Sequence, residues 1–315
     1  MTIACDIPLG TASATTLELA PLDVPLEVVC PPAAAGGIAA ACRGWQGGTR
    51  GLPGLRLRIE RSQRLSGTGG AGIAFDGSRL TVRGPGVMGH ADVERGIAGC
   101  EVSEHYLQDS AALRQDVLEP LVLMMLAHRD RTPLHASAFI VDDVAILLSG
   151  HTGAGKSCLA RAADMAGYQV LSDDTVFVQQ TPRLAVWGWP TAAHLLAHDA
   201  PAVRGPTRLR NGTVKRVVPL RSASQAAIAC NLAVLCLLSR ARHGKPALEP
   251  LPASAIEERL WPLDEGFDLL PVPIARSLAT LSTRGAWELR LSDDPTEAVR
   301  LLAASMPRLR RTIAP

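Results

Sequence analysis

The sequence predicts an α/β protein, in which a sheet domain carrying a glycine-rich phosphate loop (P-loop) follows a smaller β-rich unit. Three observations predict it. Gly150-His-Thr-Gly-Ala-Gly-Lys156-Ser157 fits the pattern G-x-x-x-x-G-K-[ST], the loop lies between an apolar run and an amphipathic segment, and from Thr132 onward short strand-like runs alternate with helical ones.

The loop pattern alone would arise by chance in roughly one chain of this length in a hundred, so its flanks decide its meaning. Upstream, Val144-Ala-Ile-Leu-Leu148 is a short continuous apolar run suited to a buried parallel strand. Downstream, the residues from Ser157 to Ala166 read as a helix with Leu159, Ala162, Ala163 and Ala166 on one face and Gly167 as its stop. Strand, glycine loop and helix is the order in which backbone N–H groups and a helix N-terminus converge on phosphate oxygens. Gly150, Thr152, Gly153, Ala154, Gly155, Lys156, Ser157 and Cys158 are therefore the candidate nucleotide-binding positions, with Lys156 on the phosphates and the Ser157 hydroxyl on magnesium. Lys156, Lys215 and Lys245 are the only lysines among 32 basic residues, which places a compact ammonium in the loop of a chain that otherwise uses arginine.

Residues 1 to about 110 form the expected β-rich unit, a candidate for substrate binding. Leu55-Arg-Leu-Arg-Ile59, Gly72-Ile-Ala-Phe75 and Arg79-Leu-Thr-Val-Arg83 are short alternating runs separated by Gly and Asp turns. Ala111 to His128 reads as an amphipathic helix with Leu113, Val117, Leu121, Met124 and Met125 inward, the methionines as core filling, and residues 111–315 are expected to form the catalytic domain. Candidate strands there are 135–141, 144–148, 169–171, 175–178 and 232–238, with Asp142-Asp143 as a turn and Gly205-Pro206 and Asn211-Gly212 marking a loop region.

A net charge of +2 without a basic stripe argues against nucleic acid as a partner. The longest apolar stretches fall short of the ~20 residues of a membrane span. Seven cysteines without a C-x-x-C pair or clustered zinc spacing disfavour metal staples and disulfide frameworks. With no signal-peptide pattern at the N-terminus, the expected compartment is the cytoplasm.

Ser172-Asp173-Asp174 ends an apolar strand downstream of the loop. Paired carboxylates beside a phosphate loop can divide two tasks, one orienting a metal or its waters and the other accepting a proton from an attacking hydroxyl; a solvated Asp-rich turn is the plainer alternative. His135 lies on the strand before the loop strand, where a histidine is more often part of the core than a catalyst.

Leu134-His-Ala-Ser-Ala138, the run from Val144 to Ser157, and Gly167-Tyr-Gln-Val-Leu-Ser-Asp-Asp174 together resemble the catalytic core of the HPr kinase/phosphorylase family and its shorter relatives. The resemblance is specific over about 133–174. It implies the sheet fold shared by the HPr kinase C-terminal domain and PEP carboxykinase, with ATP and Mg2+ as cofactors. It assigns phosphate binding to Lys156, magnesium to Ser157, general base catalysis to Asp174, a supporting catalytic role to His135, and metal support or orientation to Asp173. The family's signature Glu-Val-Arg-Gly-Leu-Gly is replaced here by the segment from His198 to Gly205, in which Asp199 is the candidate metal ligand. That departure turns the expectation from HPr toward the lasso-peptide precursor kinases, which phosphorylate a C-terminal serine. The implied activity is ATP-dependent phosphorylation of a peptide or small-protein serine; the alternatives are an HPr-type regulatory kinase, a small-molecule kinase, or a nucleotide-binding module without kinase activity. Hexamers in the family make a homo-oligomer the corresponding expectation.

Overall fold

The computed structural model describes residues 14–46, 54–69, 71–189, 192–196, 207–210, 213–223, 226–240, 244–252, 255–256, 269–283 and 285–313. The chain divides into two units: residues 1–20, 24–43 and 50–125 form the first, and 21–23, 44–49 and 126–315 the second.

In the first unit the strands are β1 (Thr15–Leu19), β2 (Leu26–Cys30), β3 (Leu55–Arg61), β4 (Gly72–Phe75), β5 (Arg79–Gly84), β6 (Val87–Asp92) and β7 (Ile97–Val102). They form one sheet in the order β1-β2-β3-β7-β6-β5-β4. β2 and β3 run parallel, so the chain must cross over between them, and α1 (Ala35–Ala41) lies on that connection. The three alternating runs read from the sequence are β3, β4 and β5. The helix expected from 111 to 128 is segmented: α2 (Glu104–Gln108) precedes α3 (Ser110–Leu113), then comes a π-helical turn over Arg114–Leu118, then α4 (Glu119–Ala127). Asp109 caps α3 by accepting from the Ala111 and Ala112 amides. These residues fall chiefly in the first unit, so that unit extends past the expected boundary at 110.

The second unit is built round a sheet in the order β11-β9-β10-β18-β20-β19. Its strands are β9 (Ser137–Val141), β10 (Val144–Ser149), β11 (Gln169–Ser172), β18 (Ala233–Arg240), β19 (Ala247–Leu251) and β20 (Ala286–Leu291). β10, β18 and β20 are mutually parallel, and every residue of β10 is buried, which is why it reads as a continuous apolar run rather than an alternating one. Two further sheets complete the unit. One has the order β17-β13-β12-β8, from β8 (Thr132–His135), β12 (Thr175–Gln179), β13 (Ala185–Gly188) and β17 (Ile228–Cys230); the other has the order β14-β16-β15, from β14 (Ala192–Leu196), β15 (Thr207–Arg210) and β16 (Thr213–Pro219).

The single strand expected over 135–141 is two strands in two sheets. β8 pairs with β12 and β9 pairs with β10 and β11, so the chain changes sheets at Ala136. The loop region expected between 205 and 212 is flanked by paired strands, β15 and β16, with Arg210 opposite Thr213; Gly205-Pro206 and Asn211-Gly212 themselves lie outside the described residues.

Helix α5 (Lys156–Met165) covers one face of the central sheet, and α6 (Pro271–Ser282), α7 (Pro295–Ala304) and α8 (Met306–Ile313) follow. The core joins Phe139, Ile146, Leu148 and Val234 of the sheet to Leu159 and Ala163 of α5 and to Val299 and Leu302 of α7. Asp164, on α5, is buried and accepts from the Arg221 amide at 2.9 Å, the Ser222 amide at 3.0 Å, the Ser222 hydroxyl at 3.1 Å and Arg161 Nη1 at 3.1 Å. Burial acts to raise its pKa, but the hydrogen bonds from Arg221 and Ser222 and the Arg161 charge outweigh it and hold the carboxyl below its ordinary value. The described cysteines are free; burial pushes the thiols of Cys42, Cys100 and Cys236 up to about 12, so these sit in the core as apolar groups. No helix among the described residues is long and apolar enough to cross a membrane.

Candidate active site

The loop from Gly150 to Gly155 leaves the C-terminal end of β10 and enters α5. Parallel neighbours β18 and β20 end beside it, so the loop occupies the position where open α/β sheets place their ligands. Two glycines are required by backbone conformation, Gly153 at φ 80° and Gly155 at φ 107°. Gly155 is also required by space: a Cβ there would stand 2.9 Å from Leu291 Cδ1 at the end of β20. Lys156 opens α5 and turns its Nζ back over the loop, donating to the Gly150 carbonyl at 2.7 Å and the His151 carbonyl at 3.3 Å. Arg240, at the end of β18, donates to the Gly153 carbonyl at 3.2 Å.

A cleft opens over this loop, and three groups of residues line it. The loop and the first turn of α5 supply Thr152, Gly153, Gly155, Lys156, Ser157 and Cys158. The second group is His135 and Asp174, from β8 and the β11–β12 turn; β8 and β12 pair with His135 opposite Thr175, which brings His135 Nδ1 within 3.7 Å of Asp174 Oδ1. The third is His194, Leu196 and Lys215, from β14 and β16.

The third group follows from strand alternation. Leu196 pairs with Lys215 and His194 with Val217, so these positions share one face of the β14–β16 pair. The other face carries Ala193, Leu195 and Val218, all buried in the core with Leu159 and Ala163 of α5.

Asp173 and Asp174 are adjacent in sequence and turn to different partners. Asp174 lines the cleft with His135. The Asp173 side chain is 2% exposed and lies against β14, where its Oδ2 accepts from the His194 amide at 2.7 Å and stands 3.5 Å from His194 Nδ1. The Asp173 carbonyl accepts from the Ser137 hydroxyl of β9, which ties the turn to the central sheet.

Of the residues singled out by sequence, the structure brings Thr152, Gly153, Gly155, Lys156, Ser157, Cys158, His135 and Asp174 to the cleft. Gly150 and Ala154 shape the loop, a Cβ on Gly150 falling 3.0 Å from Ala154 Cβ. Asp173 is set behind the cleft wall, and Asp199 lies outside the described residues. His194 and Lys215 were not assigned to the site from sequence; the alternation of Ala193, His194 and Leu195 and the Asn211-Gly212 hairpin signal were the available clues.

The described residues hold no group of three or more His, Cys, Asp and Glu side chains suited to a metal. The oxygen donors that reach the cleft, the Ser157 hydroxyl and the Asp174 carboxylate, suit a hard cation that takes its remaining ligands from phosphates and water. Two lysines against one carboxylate line the cleft, and their ammonium groups suit an anion.

Comparison with solved structures finds a distant likeness to the Hpr(Ser) kinase/phosphatase from Coxiella burnetii, at 14% identity and a TM-score of 0.31, over 57% of this chain and 97% of that one. No family model and no curated protein matches the chain.

Proposed function

We propose that the protein is an ATP-dependent serine kinase that transfers the γ-phosphoryl group to a hydroxyl of a peptide or small protein. The observation that carries this reading is the meeting of Lys156 and Ser157 with the His135–Asp174 pair in one cleft. A phosphate loop alone binds a nucleotide; a carboxylate in the same cleft adds a base within reach of the group to be transferred.

In this reading the loop amides and Lys156 hold the phosphates, and Asp174, oriented by His135, accepts the proton of the attacking hydroxyl. A bond forms from the hydroxyl oxygen to the γ-phosphorus, the bridging P–O bond breaks, and ADP leaves. Magnesium, with the Ser157 hydroxyl as its ligand from the chain, would supply charge neutralisation at the phosphates. Positioning and electrostatic stabilisation carry the remainder. The proposed acceptor is the C-terminal serine of a lasso-peptide precursor, as the resemblance of the loop, Leu-His-Ala-Ser and Leu-Ser-Asp-Asp segments implies.

Transfer of label from γ-labelled ATP to a precursor peptide ending in serine tests the reading. Lys156→Ala and Asp174→Asn are each expected to lower the rate at least ~100-fold. Wild-type rates in either variant would remove that residue from the mechanism. ATP binding without transfer to any peptide would favour a regulatory nucleotide-binding module.

A further inference from the structure

Resting on the nucleotide reading of the cleft, the β14–β16 wall raises a separate question, because its two polar residues have no part in the loop or in the His135–Asp174 pair. His194 and Lys215 lie on the same strand face by register and line the same cleft as Lys156 and Ser157. The backbone at His194 is anchored to Asp173. Its amide donates to Asp173 Oδ2 at 2.7 Å, and its Nδ1 stands 3.5 Å from the same oxygen. Asp173 Oδ1 and His194 Nδ1 are both buried without a hydrogen-bond partner.

A carboxylate so deeply buried is costly unless N–H groups face it, and the imidazole Nδ1–H is the donor a small rotation away. Nδ1 is buried, the side chain as a whole is 18% exposed, and His194 lines the cleft. A histidine fixed at one nitrogen by a carboxylate offers the other nitrogen in a set direction. Beside it, the Lys215 ammonium is a mobile point charge suited to a phosphoryl oxygen. Around this wall the charged and titratable groups are Lys156, His135 and Asp174 in the cleft and Asp173 behind it.

We propose that His194 and Lys215 form a second phosphoryl subsite, which contacts the γ-phosphoryl oxygens of the triphosphate through Lys215 Nζ and through the Nε2–H of His194 in its imidazolium form, both ring nitrogens then donating, with Asp173 as the positioning residue that holds His194. The loop and Lys156 then bind the phosphates common to ATP and ADP, and the β14–β16 wall distinguishes one from the other.

The test is calorimetric titration of the full chain with Mg-AMP-PNP and Mg-ADP. His194→Ala and Lys215→Ala should each lose roughly tenfold or more in affinity for the triphosphate analogue, the loss of one charge-assisted hydrogen bond, with ADP affinity unchanged. Lys156→Ala should weaken both ligands. In parallel, 15N spectra of histidine-labelled protein should show the His194 Nε2 resonance moving with Mg-AMP-PNP and not with Mg-ADP, and this readout needs no substitution at the buried Asp173. Equal losses for both nucleotides would make the wall merely structural, and an unchanged ratio with an unmoved resonance would assign it to the acceptor; either result overturns the subsite while leaving the kinase reading intact. If Lys156→Ala binds both nucleotides like wild type, or wild type binds neither, the kinase reading itself fails and the subsite with it.

Discussion

Replacing Asp164 by alanine should detach the end of α5 from the segment that follows β16. Asp164 lies on α5, with a side chain that is 0% exposed, and accepts from two backbone amides, one hydroxyl and one guanidinium nitrogen. Ser222 in turn accepts from the Val170 amide at 3.3 Å, so the carboxylate anchors a turn that also touches β11. Removing it leaves the Arg221 and Ser222 amides without their acceptor. An unsatisfied buried donor costs about 1–3 kcal/mol, and because water can reach part of this turn we take about 2–3 kcal/mol for the whole cluster. For a domain of this size that is a fall in Tm of about 4–12 °C. Asp164→Asn should recover only part of it, since one amide N–H then faces donors. The same carboxyl contributes to the pH dependence of stability. Its pKa is lower folded than unfolded, so its contribution is complete above the unfolded value of ~3.9 and is lost as pH falls through the folded value. Differential scanning calorimetry of wild type and Asp164→Ala at neutral and acid pH measures both effects, and the difference between the two proteins should shrink below pH ~4. A Tm within about 1 °C of wild type at neutral pH would refute the reasoning.

Gly155→Ala should destabilise by about 1–3 kcal/mol, because its φ of 107° is unfavourable for a side chain and the new Cβ meets Leu291; chemical denaturation reads the loss, and wild-type nucleotide affinity in this variant would contradict the role given to the loop. Asp130 accepts from the Gln180 and Thr181 amides and the Thr181 hydroxyl while itself at φ 57°, so Asp130→Ala should cost about 1–2 kcal/mol in a urea melt and Asp130→Asn less, asparagine tolerating that conformation. Gly188→Ala would drive a Cβ into the Leu171 carbonyl, backbone against backbone, and should reduce the soluble yield or the Tm more than either.

The loop was legible because its chemistry is local: glycines, lysine and serine at fixed spacing, between an apolar strand and a helix, carry the site in one contiguous stretch. The Asp pair and His135 were legible as candidates, but which acid faces the cleft depends on how β11 hands over to β12 and on the pairing of His135 with Thr175, neither of which is encoded in spacing. Asp173 illustrates the limit, since its buried oxygen is claimed by an amide on β14, distant in sequence. The split of the expected strand over 135–141 has the same origin: Ala136 carries no turn signal, and only the competition of two sheets for one apolar run breaks it. His194 and Lys215 come from strands of five and seven residues set among loop-like residues, where alternation over so few positions is a weak signal.

Strand β14 gives alternate residues to two different tasks, Ala193 and Leu195 to the hydrophobic layer shared with α5 and His194 and Leu196 to the cleft. The helix that presents Lys156 and the strand that presents His194 are thus fastened to the same apolar seam. Thinning that seam, for example at Leu159 or Leu195, would change the spacing between two chemical groups that never touch it. Variation acquired deep in this layer would then read out as altered geometry in the cleft, whose lining side chains keep their kind while their distances drift.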